Sequence, residues 1–427
     1  MLLAILRRYL KTVPYRSRPA LYYESFYSVG RGAFLALWPL SWVVLKTVLD
    51  GELWHLTAVT CIWGVAGLLS PAWASLRRRV GVRPLVLWPN IIAGISLGGI
   101  LLVDNATEFL LLVTLAYVIG APTRLTEMSL YRIFYPSTHR SLAVAWLKGI
   151  AVVSGSLATL AGIWLVDRHG SRYAVLYAVV GVVMIVAAWF YGRIPIPRRA
   201  HSFMSDPLPL RRALTRAWMI FSRDRHFFRY QSAFFVSGFG NLLSLGLVAE
   251  VMREELQSPA WAMGMVVAFF PILLQPLSAP LWGRLLDRIS PMSARALFSF
   301  SMMLTYSLYC YGGLAMALWP FLLGSLVQGA SQSGTQINWT TGSLYFAPSE
   351  RVPLYNSLHV VLTGIRGLLA PPIGAWLFGS VGLGSWVFAI SVALALVGMV
   401  GMMRLAAADP GPPIDDEGAG RRTVATA

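Results

Sequence analysis

Charge is scarce in this chain. Only 12% of its 427 residues are charged, 56% are hydrophobic and the mean hydropathy is +0.62. A soluble domain carries about a quarter charged residues, so a fold wetted on all sides is excluded. Acidic residues are rarest, 18 Asp and Glu against 35 Lys and Arg. Two cysteines, Cys61 and Cys310, both fall inside apolar runs and form neither a disulfide framework nor a metal-ligand spacing. With only six histidines, no metal cluster and no other cofactor is expected. The absence of a Gly-x-x-x-x-Gly-Lys-Ser/Thr loop argues against nucleotide-driven pumping by this chain alone. No paired Asp or Ser/His arrangement supports an intramembrane enzyme, so the chain is not expected to be one. The start, Met1 to Ala20, is basic but lacks a small-residue cleavage site, and it is expected to stay attached to the first span.

What is present is a series of apolar runs of roughly twenty residues, the length that crosses about 30 Å of hydrocarbon at 1.5 Å per residue. The pattern predicts about twelve spans, near 21-46, 54-75, 84-103, 108-132, 142-166, 173-192, 228-250, 260-282, 296-315, 318-343, 354-378 and 385-405. The net charge of +17 would suggest nucleic acid in a soluble chain. Here the arginines sit at helix ends, where they face anionic headgroups, so the expected partner is the lipid bilayer and no nucleic acid. Loops on the side of the N-terminus collect Arg77, Arg78, Arg79, Arg83 and the run from Arg193 to Arg229. The other side holds Lys46, Arg168, Arg172 and Arg253. That bias predicts a multi-pass protein of the plasma or inner membrane with both termini cytoplasmic.

The chain divides naturally. Residues 1-192 are expected to form a six-helix bundle and 228-405 a second one, joined by a basic linker at 193-227 and followed by a disordered tail at 406-427. In the linker, Asp206 and Pro207 start a pattern in which Leu210, Leu214, Trp218 and Phe221 recur at helical spacing. It fits an amphipathic helix on the inner leaflet or a solvated linker helix. The halves resemble each other. Pro71-Ala72-Trp73 matches Pro280-Leu281-Trp282, Gly120-Ala121 matches Gly329-Ala330, Tyr23-Glu24-Ser25 matches Tyr230-Gln231-Ser232, and Pro136-Ser137 matches Pro348-Ser349. Four matches in one order indicate six-plus-six duplication, a layout that places a substrate site between the halves.

After the eighth span, Gly283-Arg284-Leu285-Leu286-Asp287-Arg288 resembles the signature loop of the major facilitator superfamily. The resemblance implies an all-α integral membrane fold of two pseudo-symmetric six-helix bundles and transport by alternating access. It also implies a cytoplasmic latch made of Gly283, Asp287 and Arg288, with Arg79 and Arg83 in the first copy. The physics of the latch is charge-assisted hydrogen bonding at packed helix ends. The first copy departs, with Ala74 at the Gly position and Arg78 at the Asp position. The Gly-Pro-x-x-Gly-Gly pattern that resembles a drug-antiporter signature is missing from the fifth span, where Ser154-Gly155-Ser156 stands. The Ala370-Pro371-Pro372 run predicts a kink in the eleventh span. Asn105-Ala106-Thr107 has the form of a glycosylation acceptor in a very short loop.

Charged groups at membrane depth each cost about 2.5 to 3.5 kcal/mol on insertion scales, so they are paired or face water. Glu24, Tyr27 and Arg31 share a stripe of the first span; Arg124 and Glu127 share one of the fourth; Lys148 enters the fifth. His359 and Arg366 lie on the eleventh. Where the first half has Glu24 and Glu127, the second has Gln231 and Gln336, with Gln332 and Asn338 nearby. The surplus of cations favours an organic or phosphorylated anion as substrate. The expected binding set is Arg31, Tyr27, Arg124, Gln231, Gln332, Gln336, Asn338 and Arg366. The expected proton-coupling or gate set is Glu24, Glu127, Lys148 and His359, with H+ as a candidate co-substrate. The same residues fit a blander role: Glu24, Glu127 and Lys148 as gate ion pairs, His359 as a packing residue, the glutamines as bridges between helices. A monomeric secondary or facilitative carrier is the leading expectation. Rivals are a transporter-like sensor or scaffold, and an amphiphile or lipid carrier of the same fold.

Overall fold

The structure, a computed structural model, describes residues 13–70, 72–73, 76, 80–194, 215, 219–348 and 351–409. Side chains at 82, 124–129, 132–133, 137–138, 140–141, 344 and 352–353 are not described. Arg79, the side chains of Arg124 and Glu127, most of the amphipathic linker pattern and the tail from 410 therefore lie outside the described residues.

The first half is built from α1 (Arg18–Thr47), α2 (Leu53–Leu68), α3 (Val82–Gly99), α4 (Ala106–Phe134), α5 (Ser137–His169) and α6 (Tyr173–Gly192). In the second half, α7 (Arg225–Leu245) runs into α8 (Leu247–Glu254) as one span, and α9 (Ala260–Gly264) into α10 (Phe270–Leu286) as the next. Then come α11 (Pro291–Leu314), α12 (Trp319–Thr341), α13 (Val352–Ala375) and α14 (Val387–Ala407). Counted as spans these make twelve. Among the described residues, eight apolar stretches are long enough to cross a membrane, one of which, Leu142–Gly192, runs through both α5 and α6. Leu53–Leu68 is a shorter apolar helix, and α11 and α12 have spanning length with more polar content.

Ends are set by local chemistry. Asn105, which has the form of a glycosylation acceptor, is the N-cap of α4, its Oδ1 accepting from the Glu108 amide at 2.9 Å. Asp224 caps α7 through the Phe227 amide at 2.9 Å and also accepts from the Tyr355 hydroxyl at 2.8 Å, which ties α7 to the start of α13. Glu52 and His55 form a capping box at α2. Between α9 and α10, Met265–Phe269 is a π-helical turn directly before Pro271, whose missing N–H favours such a register change. Pro371 and Pro372 lie inside α13, with a second π turn at Trp376–Ser380. The proline run thus yields a widened turn just past the prolines. At the terminal end, the Tyr345 hydroxyl donates to Asp409 Oδ2 at 2.5 Å; burial and that carboxylate push the phenol up to about 12.

The duplication recurs in the packing. In the first half α1 packs on α5 and α6, α3 on α4 and α6, and α2 on α4. In the second half α7 packs on α13 and α14, α11 on α12 and α14, and α10 on α12. Each pairing has its counterpart six spans later. Between halves, α2 crosses α13, α5 meets α9 and α10, and α1 meets α8. The α2/α13 crossing is close because glycines face each other: a Cβ on Gly64 would sit 2.6 Å from the Gly367 carbonyl carbon. Toward the far end, Leu53 lies against Gly379 and Ile163 against Gly264.

That far end is locked by charge. Lys46, at the end of α1, lies 3.1 Å from Glu250 Oε2 and 2.9 Å from Glu254 Oε1 on α8. Its ammonium also donates to the Gly51 carbonyl at 3.1 Å. The Lys46 and Glu250 side chains are only 7% and 8% exposed. Among the described residues, the polar contacts joining the halves are this cluster and a 3.9 Å contact from the Cys61 thiol to the Leu368 carbonyl. The halves are therefore shut at the end opposite the termini.

Candidate transport site

In the first half, Tyr27 and Arg31 of α1 border one cleft together with residues of α2, α3, α4 and α6. The small cleft is lined by Tyr27, Arg31, Phe34, Trp63, Asn90, Tyr117 and Thr123 among others. Arg31 is the one charged side chain among its described lining residues, and its Nη1 donates to the Tyr131 hydroxyl at 3.4 Å. Helical spacing explains the grouping: Tyr27 and Arg31 are four apart on α1, so both border the cleft, Arg31 reaching Tyr131 of α4 and Tyr27 packing on Tyr191 of α6. The wall is rigid. Tyr117 donates to the Phe34 carbonyl and stacks on its ring at 4.5 Å, while Asn90 donates to Thr123 at 3.2 Å. Two turns from Arg31 toward the terminal end, buried Glu24 accepts from the Tyr135 hydroxyl at 2.6 Å. Lys148 is exposed on α5.

In the second half, Gln336 is exposed on α12, where its amide donates to Gln275 Oε1 on α10 at 3.3 Å. Gln332 is half-buried. Asn338 is buried and donates to the Pro291 carbonyl at 3.0 Å, a link between α12 and α11 within the half. At the terminal end Arg83, Asp287 and Arg288 are exposed and Gly283 is half-buried. Among the described residues no ion pair involves Asp287. The signature loop is anchored instead by Trp282, whose indole donates to the Ala330 carbonyl at 2.6 Å. Trp282 and Ala330 both belong to the repeated segments.

Arg366, Gln231 and His359 do not line the Arg31 cleft; they face the interior of their own half. Arg366 is 7% exposed, donates to the Phe234 carbonyl at 3.0 Å, and holds its Cζ 4.9 Å from the Phe234 ring centroid. A second guanidinium, Arg295 of α11, is 6% exposed, donates to Ser237 at 2.9 Å, and sits 4.0 Å from the same centroid. The two Cζ atoms are therefore no more than about 9 Å apart, where like charges repel by about 2 kcal/mol at an effective dielectric of 20. His359 packs edge-on to Phe234 at 4.7 Å, with its Nδ1 3.1 Å from Gln231 Oε1. Arg295 escapes notice in the sequence because it stands at the basic start of a span, where a snorkelling anchor is the ordinary reading. Lys46, Glu250 and Glu254 escape for the same reason at the far end.

Two six-span bundles with repeated pairings, joined by a charge lock at one end, have the architecture of a membrane transporter. A sequence model of the Major Facilitator Superfamily matches residues 25–315 and 231–426, and the chain belongs to that family. A search of the curated proteins finds no match. Among solved structures, the chain resembles nucleoside transporter NupG, with a TM-score of 0.67 and 13% identity over 90% of this chain and 98% of that one. It resembles a mutant of the peptide transporter POT at 0.70 and 13%, over 94% and 99%. A D-xylose-proton symporter aligns at 0.66 and 11%, over 91% and 97%. Identity this low speaks for the fold alone, and the family marks the protein as a transporter rather than an enzyme.

Proposed function

We propose that the protein carries a small organic or phosphorylated anion by alternating access, working as a monomer in a plasma or inner membrane with both termini cytoplasmic. The observation that carries this reading is Arg31. A guanidinium set among aromatic and neutral polar walls has the planar fork that suits carboxylate or phosphate. Gln336 and Gln332 on α12 lie outside the lining of this cleft and are proposed as neutral donors and acceptors from the other half. The excess of Lys and Arg on the terminal side supports the orientation. The lock at Lys46 then belongs to the outer face, and the described conformation is closed outside.

The test is counterflow of labelled carboxylates and phosphate esters in proteoliposomes. Arg31→Gln removes a charge-assisted contact worth about 1.5 to 3 kcal/mol, so transport of the best substrate is expected to fall roughly ten- to hundred-fold. Arg31→Lys keeps the charge, loses the fork and should fall between. Normal counterflow by Arg31→Gln would overturn the anion reading. Flux unchanged by deletion of the whole protein, with loss of a recruited partner, would favour a sensor or scaffold.

Proton coupling is proposed to reside in Glu24, which is buried, lies two turns from Arg31 on the same helix and accepts from Tyr135. Protonating Glu24 would break the charge balance on α1 and weaken the hydrogen bond to α4. Glu24→Gln mimics the protonated form. It is expected to keep solute exchange and to abolish accumulation driven by a pH gradient, measured in the same vesicles. Undiminished pH-driven accumulation would remove Glu24 from the coupling path.

A further inference from the structure

We infer that the second bundle holds a resident small inorganic anion, of chloride size, between Arg295 and Arg366 in the space where α7, α11 and α13 meet. The two guanidiniums and the groups around them converge on one ring. Arg295 Cζ, Arg366 Cζ and the His359 ring lie 4.0, 4.9 and 4.7 Å from the Phe234 centroid, and the Tyr230 ring 5.9 Å. Every contributor is more than nine-tenths buried: Tyr230 0%, Gln231 2%, His359 1%, Arg295 6% and Arg366 7% exposed.

The cluster is rich in donors and lacks an anion. Among the described residues, Arg295 Nε, Arg366 Nε, Gln231 Nε2 and the Tyr230 hydroxyl have no hydrogen-bond partner, and neither arginine has a carboxylate within ion-pair distance. Such orphans are rare in native interiors. His359 explains the amide: its Nδ1 faces Gln231 Oε1, which turns the Gln231 NH2 away unpaired. The Phe234 carbonyl and Ser237 hydroxyl occupy one guanidinium nitrogen each, and Gly238 gives Arg366 its place, since a Cβ there would lie 1.9 Å from Nη1. Water could satisfy the free donors, but it would leave two like charges within about 9 Å of each other in low dielectric. An anion does both. Enclosure limits its size, which separates this ligand from the transported solute at the Arg31 cleft. Its role would be to hold α7, α11 and α13 together as one rigid unit.

The test is thermal unfolding of the purified full-length protein in sodium chloride against sodium gluconate at matched ionic strength. Chloride is expected to raise Tm in a saturable manner, as a ligand specific for the folded state must, and bromide to do the same. Arg295→Gln should lose the difference between salts; Tyr230→Phe, which keeps both charges, should need more chloride for the same shift. Arg31→Gln should retain the chloride effect whatever happens to its transport, so failure here and failure of the solute reading are distinguishable. Identical Tm in chloride, bromide and gluconate for the unmodified protein would overturn the inference, whether or not the variants fold.

Discussion

Lys46→Met is expected to open the end of the molecule that the structure shows closed. Lys46 and Glu250 are both nearly inaccessible, and Glu254 adds a second carboxylate from the same side. Removing one partner of a buried ion pair leaves an uncompensated charge and costs about 3 to 5 kcal/mol. Here the cost has an exit. If α1 and α8 separate, Glu250 regains water, so the penalty falls on the closed conformation and not on the fold. A change of that size shifts an equilibrium between closed and open forms by roughly two to four orders of magnitude. The measurement is labelling of a cysteine at Trp63, in a background lacking Cys61 and Cys310, by an impermeant reagent applied from the Lys46 side. The rate should rise at least ten-fold in Lys46→Met. Adding Glu250→Leu, which removes the orphaned charge, should bring the rate part of the way back. An unchanged rate in Lys46→Met would show that the cluster is a surface ornament of the closed state.

A pair of glycine substitutions should separate the moving interface from the rigid one. A Cβ on Gly32 would lie 1.9 Å from the Ala151 carbonyl oxygen and 2.2 Å from Ser154 Oγ, inside the α1/α5 packing of one bundle. A Cβ on Gly64 would meet the Gly367 and Leu368 backbone at 2.6 to 2.8 Å, across the α2/α13 boundary between bundles. Overpacking costs typically about 1 to 3 kcal/mol, more where backbone blocks the way. Within a bundle no alternative arrangement relieves it, so Gly32→Val should lower Tm by many degrees and reduce the yield of folded protein. Between bundles, opening relieves it. Gly64→Val should therefore keep most of the stability while losing transport and gaining the same labelling at Trp63 as Lys46→Met. Equal losses of Tm in both variants would mean that the two halves do not separate along α2 and α13.

Much of this was legible in the residues. Apolar run lengths gave the twelve spans, because hydrocarbon thickness leaves little choice, and the paired Pro-x-Trp and Gly-Ala segments gave the duplication that the packing repeats. The stripe of Glu24, Tyr27 and Arg31 marked one polar side of α1, from which Glu24 and Arg31 reach Tyr135 and Tyr131, since spacing within one helix fixes which residues share a side. Spacing does not say which neighbour that side meets. Arg366 lies on a stripe with His359, yet the stripe faces Phe234 and the interior of its half, a matter of how α13 is rotated against α7. The Lys46 cluster was hidden because it joins residues 204 positions apart at loops where isolated charges are ordinary. The two π turns depend on where a proline's missing donor can be tolerated, and only the neighbouring helices decide that.

Alternating access as proposed requires two rigid bundles to exchange which end is shut around a solute held near Arg31. Spin-label distances test it most directly, with one pair at Arg168 and Val381 on the Lys46 side and another at Pro136 and Arg351 on the terminal side. Without solute, the first pair should show a short population and the second a long one. A transported anion should shift the two in opposite directions, and Lys46→Met should lengthen the first pair on its own. Distances that stay fixed at both ends while proteoliposomes transport the solute would contradict it.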